Sequence, residues 1–299
     1  MNIQTTKWPA QDATFLSQSS HNANQERCDA LAESDRDEIL EFLAARPLHT
    51  VIMTGWILDH GVVSPAHRGI FYGYRDGVGQ LQGVAVIGRN TLFEVRNDEA
   101  MTALAAQAKS CKEVKMIMAE SNLLTKFWGY FNQPERAPRK RSDHLLYHCE
   151  QTSNAPDPTA GIRRATLDDL DLVVAAHAEM VACETGINPL VAEPVNFRDR
   201  CAARLKRGRV WICRAGNELI FKVDVLTEVP SISYIEGVWV NPAYRGWGIC
   251  RQALNSLHRK LYTDGQTVCC FAEAGNQKAR DLYLNAGYRT KAAYSKIYL

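Results

Sequence analysis

Apolar residues recur along this chain in two rhythms, every second position or every third and fourth, and the changes of rhythm delimit its elements. The acidic stretch that follows Ser34 predicts a helix start with Ser34 as its cap. Residues 48–58 predict an apolar, partly helical segment. Residues 69–74 and 81–88 flank a glycine-rich turn at 75–80 and predict a hairpin. A strand over 91–95, a helix over 99–108, a strand over 114–118 and a helix over 123–131 follow. Residues 151–160, with Asn154, Pro156, Asp157 and Pro158, predict a linker. After it the order begins again: a short strand at 161–165, then a helix opened by Thr166 with Asp169 at the capping-box position. A helix over 196–206 precedes a second hairpin, 210–214 and 218–225, around Ala215-Gly216-Asn217. The chain closes with a strand over 233–240, a helix over 248–262, a strand over 267–272, a helix over 276–286 and a strand over 292–299.

Both halves follow one plan, which reads as an internal duplication. The division is a polar, poorly ordered lead-in at 1–30, a first domain at 31–150, the linker, and a second domain at 161–299. The halves differ after the third strand. In the second, Val238-Trp239-Val240 runs into Arg245-Gly246-Trp247-Gly248-Ile249-Cys250 and then a helix with Ile249, Ala253, Leu254, Leu257 and Leu261 on one face. Gly246 and Gly248 let the backbone turn tightly. The free N–H groups at the helix start, with the positive end of its dipole, suit a phosphate. The first half has Arg96-Asn97-Asp98-Glu99 at this place, without glycines and with two acids. That is hostile to phosphate.

A second pattern lies downstream: Asn276, Ala279, Tyr283, Gly287 and Tyr288. Asn276 and Tyr283 are two helical turns apart and share a face. Gly287 is placed to end the helix in a left-handed conformation. Together the two patterns resemble the GNAT superfamily of acyl-coenzyme A dependent N-acetyltransferases. The family's loop, Arg/Gln-x-x-Gly-x-Gly/Ala, is matched at Arg245, Gly248 and Cys250, with cysteine replacing the small residue. Its Asn-x-x-Ala-x-x-x-Tyr-x-x-x-Gly-Phe/Tyr helix is matched in full. Met180, Glu184, Gly186, Pro189, the strand at 221–224 and Glu236-Gly237-Val238 resemble a subgroup with two tandem domains, the first of them degenerate.

The resemblance implies an α/β (α+β) fold of two tandem GNAT-like domains, each a mixed, mostly antiparallel twisted sheet flanked by helices. It implies acetyl-CoA as acyl donor, no metal, and a primary amine acceptor, a small molecule or a peptide, that attacks the thioester directly in a ternary complex. The amides of Gly246, Gly248 and Cys250 would hold the pyrophosphate, with Arg245, Trp247 and Ile249 completing that loop. Val238, Trp239 and Val240 would offer backbone to the pantetheine, and Asn276 and Ala279 would face it. Tyr283 would be the acid for the thiolate; alternatively it packs in the core. Glu236 would be the base, and strand alternation puts it on the side of Val238 and Val240 unless a bulge intervenes. Glu184 and Asp224 are alternatives for the base or for binding the acceptor. The other function considered is an acyl-CoA sensor or scaffold without catalysis. A nucleotide-phosphate enzyme fits poorly, because the turn lacks a Gly-Lys-Ser/Thr ending.

Composition narrows the picture further. A net charge of +2 over 299 residues gives no reason to expect nucleic acid. The densest basic run, Arg136 to Arg141, reads as a solvated loop before a strand. No apolar run approaches a membrane span and no secretory signal is visible. Nine cysteines without a C-x-x-C pair point to small buried hydrophobes in a reducing cytoplasm. A homodimer is left open.

Overall fold

The computed structural model describes residues 27–150, 161–261 and 267–299. The expected linker and most of the expected lead-in lie outside the described residues. The first half comprises β1 (Arg27–Ala30), α1 (Arg36–Ala44), α2 (Pro47–His60), β2 (Gly69–Arg75), β3 (Leu81–Gly88), β4 (Asn90–Val95), α3 (Asp98–Ser110), β5 (Met116–Glu120), α4 (Ser121–Phe131) and β6 (Lys140–Cys149). The second comprises β7 (Arg163–Arg164), α5 (Leu170–Thr185), α6 (Pro189–Ala192), α7 (Pro194–Lys206), β8 (Val210–Ala215), β9 (Glu218–Val229), β10 (Ile232–Val240), α8 (Ile249–Leu261), β11 (Thr267–Glu273), α9 (Gln277–Asn285) and β12 (Arg289–Tyr298).

Two helix starts contrast. The Thr166–Asp169 box forms as expected, with Thr166 N–H on Asp169 Oδ2 at 2.9 Å. The first helix is instead introduced by a turn in which Asp35, not Ser34, takes the backbone N–H of Ala32 at 2.8 Å. A strand, β1, also occupies Arg27–Ala30, inside the stretch expected as lead-in.

All the strands join one mixed, mostly antiparallel sheet in the order β1-β2-β3-β4-β5-β12-β6-β11-β10-β9-β8-β7. Adding six to each strand number of the first half gives its counterpart in the second, and the order then reads the same from both ends. The sheet therefore has a local two-fold axis between β12 and β6. Each half has one parallel pair, β4 with β5 and β10 with β11. The last strands are exchanged: β6, from the first half, lies against β11, and β12, from the second, lies against β5.

Helices cover both faces. Leu104, Ala105, Leu124 and Phe127 of α3 and α4 form one core with the first half of the sheet. Ala253, Leu254, Leu257 and Leu261 of α8 form another with Tyr283 of α9 and Phe221, Val223 and Ile235 of the second half. Each of these fully buried leucines contributes about 1.5–3 kcal/mol. On the opposite face, α5 and α7 cover β8 to β10. There α2 reaches across the junction: Met53 and Ile57 join the core of α1, while Val51 packs with Tyr234 and Ile232 of the second half.

Candidate active site

The parallel pairing of β10 with β11 runs from Ile232/Thr267 to Tyr234/Cys269 and stops there. Beyond that point the strands part into a fork. A cleft of about 760 Å³ opens there, between the end of β10, the loop before α8, the start of α9 and α5. Val238, Trp239, Val240, Arg245, Gly246, Gly248, Ile249, Cys250, Asn276 and Ala279 all line it, so the structure brings together residues spread over forty positions of sequence.

The loop is built by local chemistry. Asn241 bonds forward to the N–H of Ala243 (3.1 Å) and sideways to the carbonyl of Leu219 (3.1 Å), fixing the exit from β10. Gly246 and Gly248 then take φ of +84° and +76°. A Cβ at Gly246 would meet nothing within 4 Å, so the space above that backbone is open to a ligand. The first turn of α8 carries no acid, and its leading N–H groups lack intrahelical partners. Asn276 caps α9 by accepting from the N–H of Ala279 at 3.0 Å, which leaves its amide nitrogen as a donor at the cleft. Gly287, at φ +89°, ends that helix as the pattern predicts.

Other residues depart from expectation or were not foreseen. Trp247 is 73% exposed and is not part of the cleft wall. The side chain of Glu184 lies outside the described residues. Cys250 lines the cleft yet packs on the core beneath α8, and burial pushes its thiol up to about 12, so it stays protonated and unreactive. The far wall is α5, with Glu179, Met180 and Cys183. Glu179 accepts from the indole of Trp239 (3.1 Å) and lies 3.5 Å from the Arg245 guanidinium, whose Nε donates to the carbonyl of Val240 (3.0 Å). Nothing in the spacing of α5 announces that it faces this cleft, because only tertiary packing sets the rotation of a helix.

Glu236 is turned by a bulge. It stands opposite Asp224, whereas Trp239 stands opposite Lys222, so β10 carries one residue more than β9 between these pairs. Gly237 absorbs the extra residue at φ +62°. The parity therefore flips. Val238 and Val240 pack on the α8 side, while Trp239 belongs to the core of α5 and α7. Glu236 shares that second side, where Arg204 of α7 approaches it at 3.9 Å, and not the side of Val238 and Val240. Its side chain is 35% exposed, yet its surroundings are dense. Burial raises its carboxyl above the usual range, Arg204 opposes this and Asp224 adds to it.

Asp224 does not reach the cleft. It is 1% exposed and takes bonds from Lys222 Nζ (2.7 Å) and Arg204 (3.0 Å). Tyr283 approaches the fork from the opposite face. It is 6% exposed, stacked on Tyr147 and edge-on to Tyr288, and shares a hydrogen bond with the Cys270 thiol. Burial first, then the Cys270 and Cys250 thiols, raise its pKa well above that of an ordinary phenol. It is not among the residues that line the cleft and packs in the core with α8.

Residues 183–288 match the family model described as the acetyltransferase (GNAT) family. That stretch of the second half is similar to this family. No curated protein matches the chain by sequence. Solved structures share the whole fold at low identity. An acetyltransferase from the GNAT family of Colwellia psychrerythraea superposes with a TM-score of 0.58 at 15% identity, over 91% of this chain and 99% of that one. A tandem GNAT protein from the clavulanic acid biosynthesis pathway gives 0.56 at 14%, over 91% and 98%. A Drosophila protein gives 0.65 at 12%, over 91% and 98%. The chain thus has the tandem GNAT fold, and a GNAT domain supports acyl transfer in general.

The two-fold axis shows what became of the same place in the first GNAT-like half. Leu92 is the last residue of β4 paired with β5, as Tyr234 is of β10 with β11, so Glu94 stands where Glu236 does. Glu94 is only 3% exposed and is bound by Arg46 (3.1 Å), with Arg96 at 3.4 Å. The N-terminus of α3 is capped by its own Asn97, at 2.9 Å from the N–H of Ala100, and its first turn holds Asp98 and Glu99. An anion would meet a capped helix and two carboxylates there. Among the described residues no group of three or more His, Cys, Asp or Glu is placed to hold a metal, and no helix is long and apolar enough to cross a membrane. None of the nine cysteines is in a disulfide.

Proposed function

We propose that the second half transfers an acetyl group from acetyl-CoA to a primary amine by direct attack. The observation that carries this reading is the fork between β10 and β11, whose cleft is lined by the open glycine loop and the start of α8. Glu236 is not on the cleft wall but lies on β10 two residues beyond the last pair of the fork's strands. The pyrophosphate fits the amides of Gly246, Gly248 and Cys250, with the α8 dipole behind them. The pantetheine fits along 238–240, with Asn276 as a donor. The amine nitrogen then forms a bond to the thioester carbon, and the carbon–sulfur bond breaks.

Two side chains serve the reaction from opposite faces of the sheet. Glu236 takes the proton that the attacking amine loses, directly or through water. Tyr283 is kept neutral by its burial and is therefore available to stabilise the departing thiolate with a hydrogen bond, while the thiolate takes its proton from solvent. One donor binds per chain in this reading, because Asn97 caps α3 and Asp98 and Glu99 stand in its first turn.

The test is thiol release from acetyl-CoA over a panel of primary amines, with calorimetry of CoA binding alongside. Amine-dependent release with one CoA per chain is the expected result. One tight CoA without turnover on any amine would favour a sensor, and two CoA per chain would reject the assignment of the first half.

A further inference from the structure

Behind Glu236 lies a group of charges that the chemistry above does not use. Lys222 and Asp224 are each 1% exposed, on the α5–α7 side of β9, joined at 2.7 Å. They fill the space that a side chain at residue 237 would need: a Cβ there would come within 3.0 Å of Asp224 Oδ2 and 3.2 Å of Lys222 Nζ. Lys222 Nζ also lies 3.5 Å from the Gly237 carbonyl. The buried pair is thus the floor beneath the bulge that turns Glu236. Arg204 spans the two sites, with one nitrogen on Asp224 at 3.0 Å and the other 3.9 Å from Glu236.

We infer that Arg204, held by the buried Asp224, is a positioning residue that fixes the orientation and charge of Glu236. The inference rests on the reading of Glu236 as the base. A planar guanidinium presents donors on two nitrogens in a fixed geometry, so it can bond one carboxylate and face another at once. Asp224 stands directly across the strand pair from Glu236. Without a cation between them, two carboxylates so placed would repel and Glu236 would hold its proton.

The other groups around this point are accounted for. From α5, His177 stacks on Phe197 and lies 3.4 Å from Arg204; burial drops its pKa to about 4, so it is neutral at physiological pH. From α7, Arg200 is engaged by Glu193 and the Cys201 thiol is raised by burial. From β12, Lys296 adds a weaker favourable charge. From β10 itself, Tyr234 is held neutral by burial. From α2, Asp59 is paired with Arg209 at 2.9 Å. Arg204 is therefore the strongest cationic influence on Glu236.

The experiment is carboxyl titration by 13C NMR on the full chain labelled at glutamate Cδ, with the Glu236 signal assigned by its loss in E236Q. R204M is expected to raise the Glu236 midpoint by about one pH unit. R204K, which keeps the charge, is expected to hold the midpoint within about 0.3 unit while lowering kcat, because it loses the fork. An unmoved midpoint in R204M would overturn the inference. The pH dependence of kcat/KM in the same variants separates this from the wider reading. If the NMR midpoint moves and the acidic limb of the rate profile does not follow, Glu236 is not the base, and that assignment falls instead.

Discussion

Tyr283 and Glu236 lie on opposite faces of the sheet, and burial biases both toward their neutral forms. For the tyrosine this helps, since a donor must keep its proton. For the glutamate it sets a limit. Its pKa lies above the usual carboxylate value, so the proposed base would be lost as pH falls through that raised value, earlier than for an exposed glutamate. Tyr283→Phe keeps the ring stacked on Tyr147 and removes only the hydroxyl. It is expected to lower kcat roughly 100-fold, the lower end of what one donor aimed at developing charge contributes, with acyl-CoA affinity unchanged. Unchanged kcat by steady-state kinetics would leave Tyr283 as a core residue only. At this scale the spacing of Arg245, Gly248, Asn276 and Tyr283 was legible because each sits at a helix terminus or a fixed helical interval. The side taken by Glu236 was not, because one extra residue at Gly237 reverses alternation.

Among the elements, α2 shows how a pattern can be clear while its reason is hidden. Its segment is apolar on nearly every side, which suits a helix buried all round. The cause is its place between the core of α1 and the strands of the second half. Contact is closest at Gly55, where a Cβ would fall 2.1 Å from Thr227 Cγ2 and 2.8 Å from its Cβ. Gly55→Ala gains about 1 kcal/mol of helix propensity but must displace a buried, β-branched side chain, an overpacking of about 1–3 kcal/mol. The net effect on the melting temperature is expected to be a loss, with Thr227→Ala in the same chain recovering part of it. A stabilised single variant would refute that packing. The basic run after Arg136 is likewise resolved by its surroundings. Arg136 donates to the carbonyls of Cys111 (3.1 Å) and Val114 (2.9 Å) and lies over the Phe131 ring, so it braces the first half instead of standing free in solvent.

Over the whole molecule, the exchange of β6 and β12 makes the two halves interdependent. A piece spanning 161–299 would lack β6 and present the unpaired edge of β11, an exposed strand prone to association. It is expected to be poorly soluble and unable to bind acyl-CoA, whereas co-expression with 1–160 should restore a soluble complex. A monomeric 161–299 with full CoA affinity would show that the exchange is dispensable. The repeated order of elements, the glycine loop and its partner helix depend on periodicity and on local backbone chemistry, and the chain alone determined them. It also makes the equivalent helix start of the first half hostile to phosphate, because Asn97, Asp98 and Glu99 are consecutive. Only the tertiary structure decided which half each final strand completes, which face Glu236 occupies and that Arg204 stands behind it. Those outcomes depend on strand pairing, one bulge and the rotation of packed helices, and none of these leaves a local period in the sequence.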